Sequence, residues 1–238
     1  MSCTSHSQTM IIHQRFSGPP GCGNGGYVSG RLAALLDEPQ VVVSLMRPTP
    51  VDTPLPVEAL PGGGIALMVG GQPAVTAMAD QTPLHVPPTL TLDRALSGHR
   101  PHRHLFPGCF VCGPDCAGGL HIYPEKVGDG MCAAHWTPGW ELADDDGYVR
   151  LEFLYAALDC PGAFAALGGV FDRPTLLGRF QVRTHRRPRA DEPLTVGAWA
   201  RGQDGRKHAV ATALYDSEGK CLAASQAIWI ELRQQAAA

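Results

Sequence analysis

Arg47-Pro48 followed by Pro54-Leu55-Pro56-Val57, and later Arg187-Pro188 followed by Pro193-Leu194-Thr195-Val196, is the repeated stretch that decides how this chain is organised. Each copy is preceded by a small-residue helix, Gly25 to Leu36 in the first half and Ala156 to Gly168 in the second, and by an alternating apolar strand. Each is followed by further strands that end in a Gly-led hairpin, Gly71 to Ala77 and Gly219 to Ser225. Internal repetition settles architecture before any single motif does. The two copies lie a domain's length apart, so the repeated unit is a domain and not a solenoid turn.

The 238 residues, 44% hydrophobic, suffice for one large core or two modest ones, and the duplication favours two halves that share an interface. A net charge of −3 and a pI near 6.3 exclude the concentrated basic face that a nucleic-acid partner needs. Met1 to Gln8 is short and polar and lacks the pattern of a signal peptide, and no apolar run is long enough to span a bilayer. The expectation is a soluble cytoplasmic protein with no membrane partner. Eight cysteines (Cys3, Cys22, Cys109, Cys112, Cys116, Cys132, Cys160 and Cys221) are then expected as reduced thiols.

Met10 to Phe16 reads as an entering strand, and the Gly/Pro loop from Gly18 to Gly26 opens a helix that Asp37-Glu38-Pro39 stops. Strands are expected at Val41 to Met46, Leu55 to Leu60, Ile65 to Val69 and Ala74 to Ala79. From Asp80 to Pro107 the chain is rich in Pro, His and Thr without a period, which marks a linker with at most a helical turn near Leu92 to Leu96. The second unit opens with a hairpin from His121 to Pro124 and Met131 to Trp136, and Tyr148 to Gly168 carries its helix. Strands follow at Leu177 to His185, Leu194 to Arg201, His208 to Asp216 and Leu222 to Leu232. The domains are therefore expected as 1–82 and 108–238, joined by a linker at 83–107.

Cys109-Phe110-Val111-Cys112-Gly113-Pro114-Asp115, then Gly119-Leu120-His121-Ile122, resembles the opening strand-turn of hotdog-fold acyl-CoA thioesterases. Gly205-Arg206, Ala209 and Leu214-Tyr215-Asp216, with Gly219 and Leu222-Ala223, resembles their closing hairpin. The resemblance spans nearly the whole chain as two fused hotdog units. It implies an α+β double hotdog: two antiparallel sheets, each wrapped on a central helix, continuous across a pseudo-two-fold interface. The fold also hosts dehydratases, hydratases and non-catalytic acyl binders, so it does not by itself fix the reaction.

The glycines of Gly23-Asn24-Gly25-Gly26-Tyr27 stand at a helix start, where exposed N–H groups can meet the oxyanion that forms in thioester hydrolysis. The resemblance supports this, since hotdog thioesterases of the phenylacetate-pathway type carry Asn or His followed by Gly-Gly here. A plain N-cap Asn before a tight turn is the other reading. Those enzymes place an acid about two turns on, where this chain has only Ala33, Ala34 and Leu35. Asp159, within Leu158-Asp159-Cys160-Pro161-Gly162-Ala163-Phe164, can supply it from the second unit. Pro161 suits a first helical position, so Asp159 is expected at a helix start, as a base facing a shared cleft or as a cap. Cys160 beside it is a candidate nucleophile without a nearby His.

Asp159, Asn24, Gly25 and Gly26 are thus the expected catalytic set. Tyr27, Cys160, Gly162 and Ala163 are expected to line the acyl group, and Arg187, Arg206 and Lys207, near Arg183 and Arg186, to meet coenzyme A phosphates. Cys109, Cys112 and Cys116, with His99, His102 and His104 before them, have the composition of a zinc knuckle, but no second CxxC follows. No metal and no cofactor are expected. Gly21, Gly23, Gly25 and Gly26 fail as a nucleotide loop because no parallel βαβ succession follows. The expected partner is an acyl-CoA or other acyl thioester, with a homo-oligomer of fused protomers possible. A non-catalytic acyl binder is the alternative function.

Overall fold

The computed structural model describes residues 8–87, 89, 90, 92, 96–101 and 104–233. Among these residues one antiparallel sheet wraps two helices, α1 (Gly25–Leu36) and α2 (Leu151–Ala166). The first half contributes β1 (Gln8–Met10), β2 (Gln40–Leu45), β3 (Leu55–Ala59), β4 (Ile65–Val69) and β5 (Gln72–Ala79). The second contributes β6 (Glu125–Gly128), β7 (Met131–Trp136), β8 (Thr175–Thr184), β9 (Leu194–Asp204), β10 (Lys207–Tyr215) and β11 (Cys221–Glu231). Their spatial order is β1-β3-β4-β5-β2-β8-β11-β10-β9-β7-β6.

The two sheets expected to run continuously across the interface do so, and form a single eleven-stranded sheet among the described residues. Its seam pairs β2 with β8, the first strand after each helix, antiparallel from Gln40↔Arg183 to Ser44↔Arg179. Left apart, each strand would present a row of unpaired N–H and C=O groups. Paired, they satisfy one another and bury Val41, Val43, Phe180 and Val182 completely. Pairing the same element of each half antiparallel is what a local two-fold axis produces.

Several element boundaries differ from the sequence reading for local reasons. The entering strand stops at Met10, because the His13 side chain accepts the Arg15 N–H and caps a 3-10 turn at Gln14–Phe16. The second unit's first hairpin forms at Glu125–Gly128 and Met131–Trp136, not from His121. Leu120 and Ile122 instead donate their N–H groups to Phe110 and Val111 carbonyls, which holds residues 106–122 as successive turns. The helical turn proposed near Leu92 to Leu96 falls largely on residues 93–95, outside the described ones.

α1 crosses α2 at backbone distance because Gly26 and Gly30 share the face turned to α2. A Cβ on Gly26 would stand 2.5 Å from the Asp159 Cβ, and one on Gly30 2.5 Å from the Glu152 Cα. Residues four apart on a helix lie one above the other, so the pair makes a continuous smooth strip. α2 itself is buried almost throughout, and Pro161 lies inside it, removing one N–H from its ladder. One residue from the carbonyl so orphaned, the Thr212 hydroxyl of β10 donates to the Leu158 carbonyl at 2.7 Å and ties sheet to helix.

The described part of the expected linker runs as a strap along the outer face of the sheet. Gln40 and Gln181, on the two seam strands, both donate to the Thr82 carbonyl, at 2.7 and 2.8 Å. Further along, Tyr215 donates to the Pro87 carbonyl at 2.6 Å. Leu84, Val86 and Leu90 pack there on Ala213, Tyr215 and Ala224. The strap therefore covers the apolar outer surface of the second half.

Candidate active site at the helix interface

The start of α1 meets the middle of α2. Asn24 is the N-cap of α1, extended in backbone, and its Oδ1 accepts the Tyr27 N–H at 2.9 Å. That fixes the amide, so its Nδ2 points away from α1 and donates to Asp159 Oδ2 at 2.9 Å. The Gly26 N–H donates to the same oxygen at 3.0 Å. Only glycine at position 26 lets the carboxylate come this near. Asp159 thus sits in the positive field at the N-terminus of a helix to which it does not belong.

Asp159 was expected at the start of its own helix, as a possible cap of it. It lies instead in the interior of α2, which starts at Leu151. Pro161 misled the reading, since proline is common at a first helical position but is here tolerated within the helix. The same placement removes Cys160 from any helix N-terminus. Hydrogen bonding to Cys109 and Cys112 and burial hold its thiol well above the usual range, so the nucleophile reading loses its physical basis.

Asn24 and Asp159 are each only 2% exposed. Burial pushes the Asp159 carboxyl up to about 7, against the opposing pull of the Gly26 N–H. A carboxyl so placed changes protonation near neutrality, as a general base working there must. Its second oxygen, Oδ1, is buried and has no hydrogen-bond partner. The partly exposed Gly25 amide, beside the engaged Gly26 amide, makes no hydrogen bond among the described residues.

Three sulfurs stand against this pair. Cys109 Sγ is 3.7 Å from both Cys160 Sγ and Cys112 Sγ, and all three lie within 4.8 Å of one another. The Asn24 amide approaches Cys109 and Cys160 sulfurs at 3.9 Å. Hydrogen bonding with the Cys112 and Cys160 thiols pulls the Cys109 thiol well below the usual range, against its burial. Cys116, expected with Cys109 and Cys112, is not in the group, and Cys160 stands in its place. His102 lies outside the described residues.

The residues expected to line substrate are placed otherwise. The Tyr27 ring is stacked on Phe16 at 4.1 Å and edged by Phe110 and Phe153, so it is core. Gly162 faces Val210 and Trp229, and Ala163 is fully buried: both serve helix-to-sheet packing. The basic cluster also comes apart. Arg187 follows the end of β8 and is paired with Asp144 at 2.7 Å, while Arg206 and Lys207 lie where β10 runs beside the opposite end of β11. The register Ala223↔Thr184 and Glu231↔Thr175 puts these two groups at opposite ends of the sheet. They cannot hold one diphosphate together.

Sequence reasoning missed the approach of Cys109 to Asn24, and the role of Gly30. The spacing Gly26-x3-Gly30 was the available signal for close helix contact. Nothing in the sequence pairs the 106–122 turns with the α1 start, since the link is the long-range bond from the Phe110 N–H to the Ser17 carbonyl, 2.7 Å.

A central helix wrapped by half of a continuous antiparallel sheet, occurring twice across a local two-fold, defines the double hotdog fold, and solved structures agree. The chain is similar to the Mycobacterium avium subs paratuberculosis tesB protein, with a TM-score of 0.67 and 14% identity over 94% of this chain and 92% of that one. It is similar to a hot dog fold protein from Alicyclobacillus acidocaldarius, with a TM-score of 0.66 and 14% identity over 98% and 96%. A proposed thioesterase from Novosphingobium aromaticivorans gives a TM-score of 0.62 and 16% identity over 94% and 95%. A shorter match, with a TM-score of 0.48, covers 53% of this chain and 62% of a thioesterase superfamily protein. No family profile and no curated protein matches the chain. The fold is therefore the double hotdog, and at these identities the likeness fixes architecture alone.

Proposed function

We propose that this protein hydrolyses an acyl thioester such as an acyl-CoA, with a site composed from both halves. The observation that carries the reading is the carboxylate of α2 held against the N-terminus of α1 by Asn24 and the Gly26 amide. With Oδ2 so fixed, Oδ1 is the oxygen left to take a proton from water. The water oxygen then adds to the thioester carbonyl, and the oxyanion is met by the unengaged Gly25 N–H. Collapse breaks the carbon–sulfur bond, and Asp159 returns the proton to the leaving thiolate. Similarity to a tesB protein and to a proposed thioesterase supports the choice of reaction.

A second reading is favoured by the burial of Asp159: that carboxylate as a cross-helix cap in a non-catalytic acyl binder. Asp159→Asn separates the two. The amide is nearly isosteric but cannot act as base, so hydrolysis of an acyl-CoA panel should fall at least a hundredfold in kcat with the fold intact. Undiminished turnover with a large drop in unfolding midpoint would establish the cap instead.

A further inference from the structure

We propose that Cys109, Cys112 and Cys160 form a buried three-thiolate site for a soft closed-shell cation, zinc in the first instance. This goes beyond the hydrolase reading and does not depend on it, and it reverses the expectation of no metal. A tetrahedral zinc with bonds of about 2.3 Å to sulfur has sulfur–sulfur edges of about 3.8 Å. The Cys109 sulfur stands 3.7 Å from each of the other two. Zinc would replace three thiol protons with little movement of the side chains.

The surroundings also suit thiolates. The Asn24 amide approaches two of the three sulfurs at 3.9 Å. Such outer donors orient metal-binding sulfurs and spread their charge. Asp159 Oδ1, one residue from Cys160 on α2, is buried without a partner. Three thiolates and a divalent cation leave one net negative charge in the core, and a carboxylate as a further donor would double it at high desolvation cost. The three sulfurs are therefore the donors this chain supplies, and Asp159 Oδ1 stays free.

The site ties the 106–122 turns to α2, so metal should raise stability as any ligand specific to the folded state does. The test uses tag-free, full-length protein, reduced anaerobically and loaded with zinc or cobalt. Stoichiometric metal by elemental analysis, a sulfur-to-cobalt charge-transfer band, and a chelator-reversible rise in Tm are expected. Cys112→Ser and Cys160→Ser should lose all three signals, and Cys22→Ser should keep them. Should a serine variant fail to fold, thiol titration of the wild type decides: zinc should protect three cysteines from alkylation. Substoichiometric metal after reduction and loading, or equal metal in both serine variants, overturns the site.

Discussion

Asn24 does two jobs with one amide, capping α1 through Oδ1 and holding Asp159 through Nδ2. Asn24→Ala should therefore cost more than an ordinary cap. Loss of the cap is worth about 1 kcal/mol, and stripping a donor from a buried carboxylate about 1–3 kcal/mol more. Chemical denaturation should show a loss of roughly 2–4 kcal/mol together with a fall in kcat. A loss confined to cap size, with kcat unchanged, would detach Asn24 from the proposed site. Gly26 is equally exacting, because an added methyl would strike the Asp159 Cβ and the Tyr155 carbonyl, at 2.5 and 2.7 Å. At Gly25 the nearest atoms are Leu177 and Leu45 side chains at 3.2 to 3.3 Å, which have room to shift. Gly26→Ala should thus destabilise markedly more than Gly25→Ala, and thermal melts of the two variants read the order directly. Asn24 and the glycines were legible as a helix start, and Asp159 as an acid that could meet it from the other half. The burial of Tyr27, Gly162 and Ala163 was not, because which face of a helix meets the sheet depends on partners far away in sequence.

At the scale of elements, the fold turns on how closely α1 and α2 approach. Gly30→Ala poses opposing effects. Alanine favours a helix over glycine by about 1 kcal/mol, whereas overpacking a core typically costs about 1–3 kcal/mol. The added Cβ would meet the Glu152 backbone at 2.5 Å, and backbone yields less readily than a side chain. The clash should win, lowering the denaturation midpoint; a stabilised variant would show that the helices can slide apart freely. Helices and most strands were recoverable from period and punctuation to within a few residues. Failures came where hydrogen bonds outside the periodic elements redirected the backbone, from a side chain at His13 and between backbone groups in the 106–122 turns, since such bonds leave no periodic trace.

For the molecule as a whole, the seam between β2 and β8 makes each half the cover for the other's open edge. Residues 1–80 and 105–238 made separately would each expose that edge and one face of a helix, and each would lack half of the proposed site. They should be insoluble or inactive apart and regain hydrolysis on mixing. Full turnover from residues 105–238 alone would end the shared-site mechanism and Asn24's part in it. No helix of the described residues is long and apolar enough to cross a membrane.

The sequence by itself determined the duplication, the order of helix and strands within each copy, and the pairing of a glycine-rich helix start in one half with a buried acid in the other. These are local or periodic properties, written in residue spacing and in the conformational limits of glycine and proline. Only the tertiary structure decided that β2 and β8 form the seam, that Asp159 approaches α1 from the middle of α2, that the basic residues stand at opposite ends, and that Cys160 joins Cys109 and Cys112. Each of those facts depends on strand register or helix contact across long sequence separations. There a shift of one residue turns every side chain of a strand to the other face, and no local pattern records the outcome.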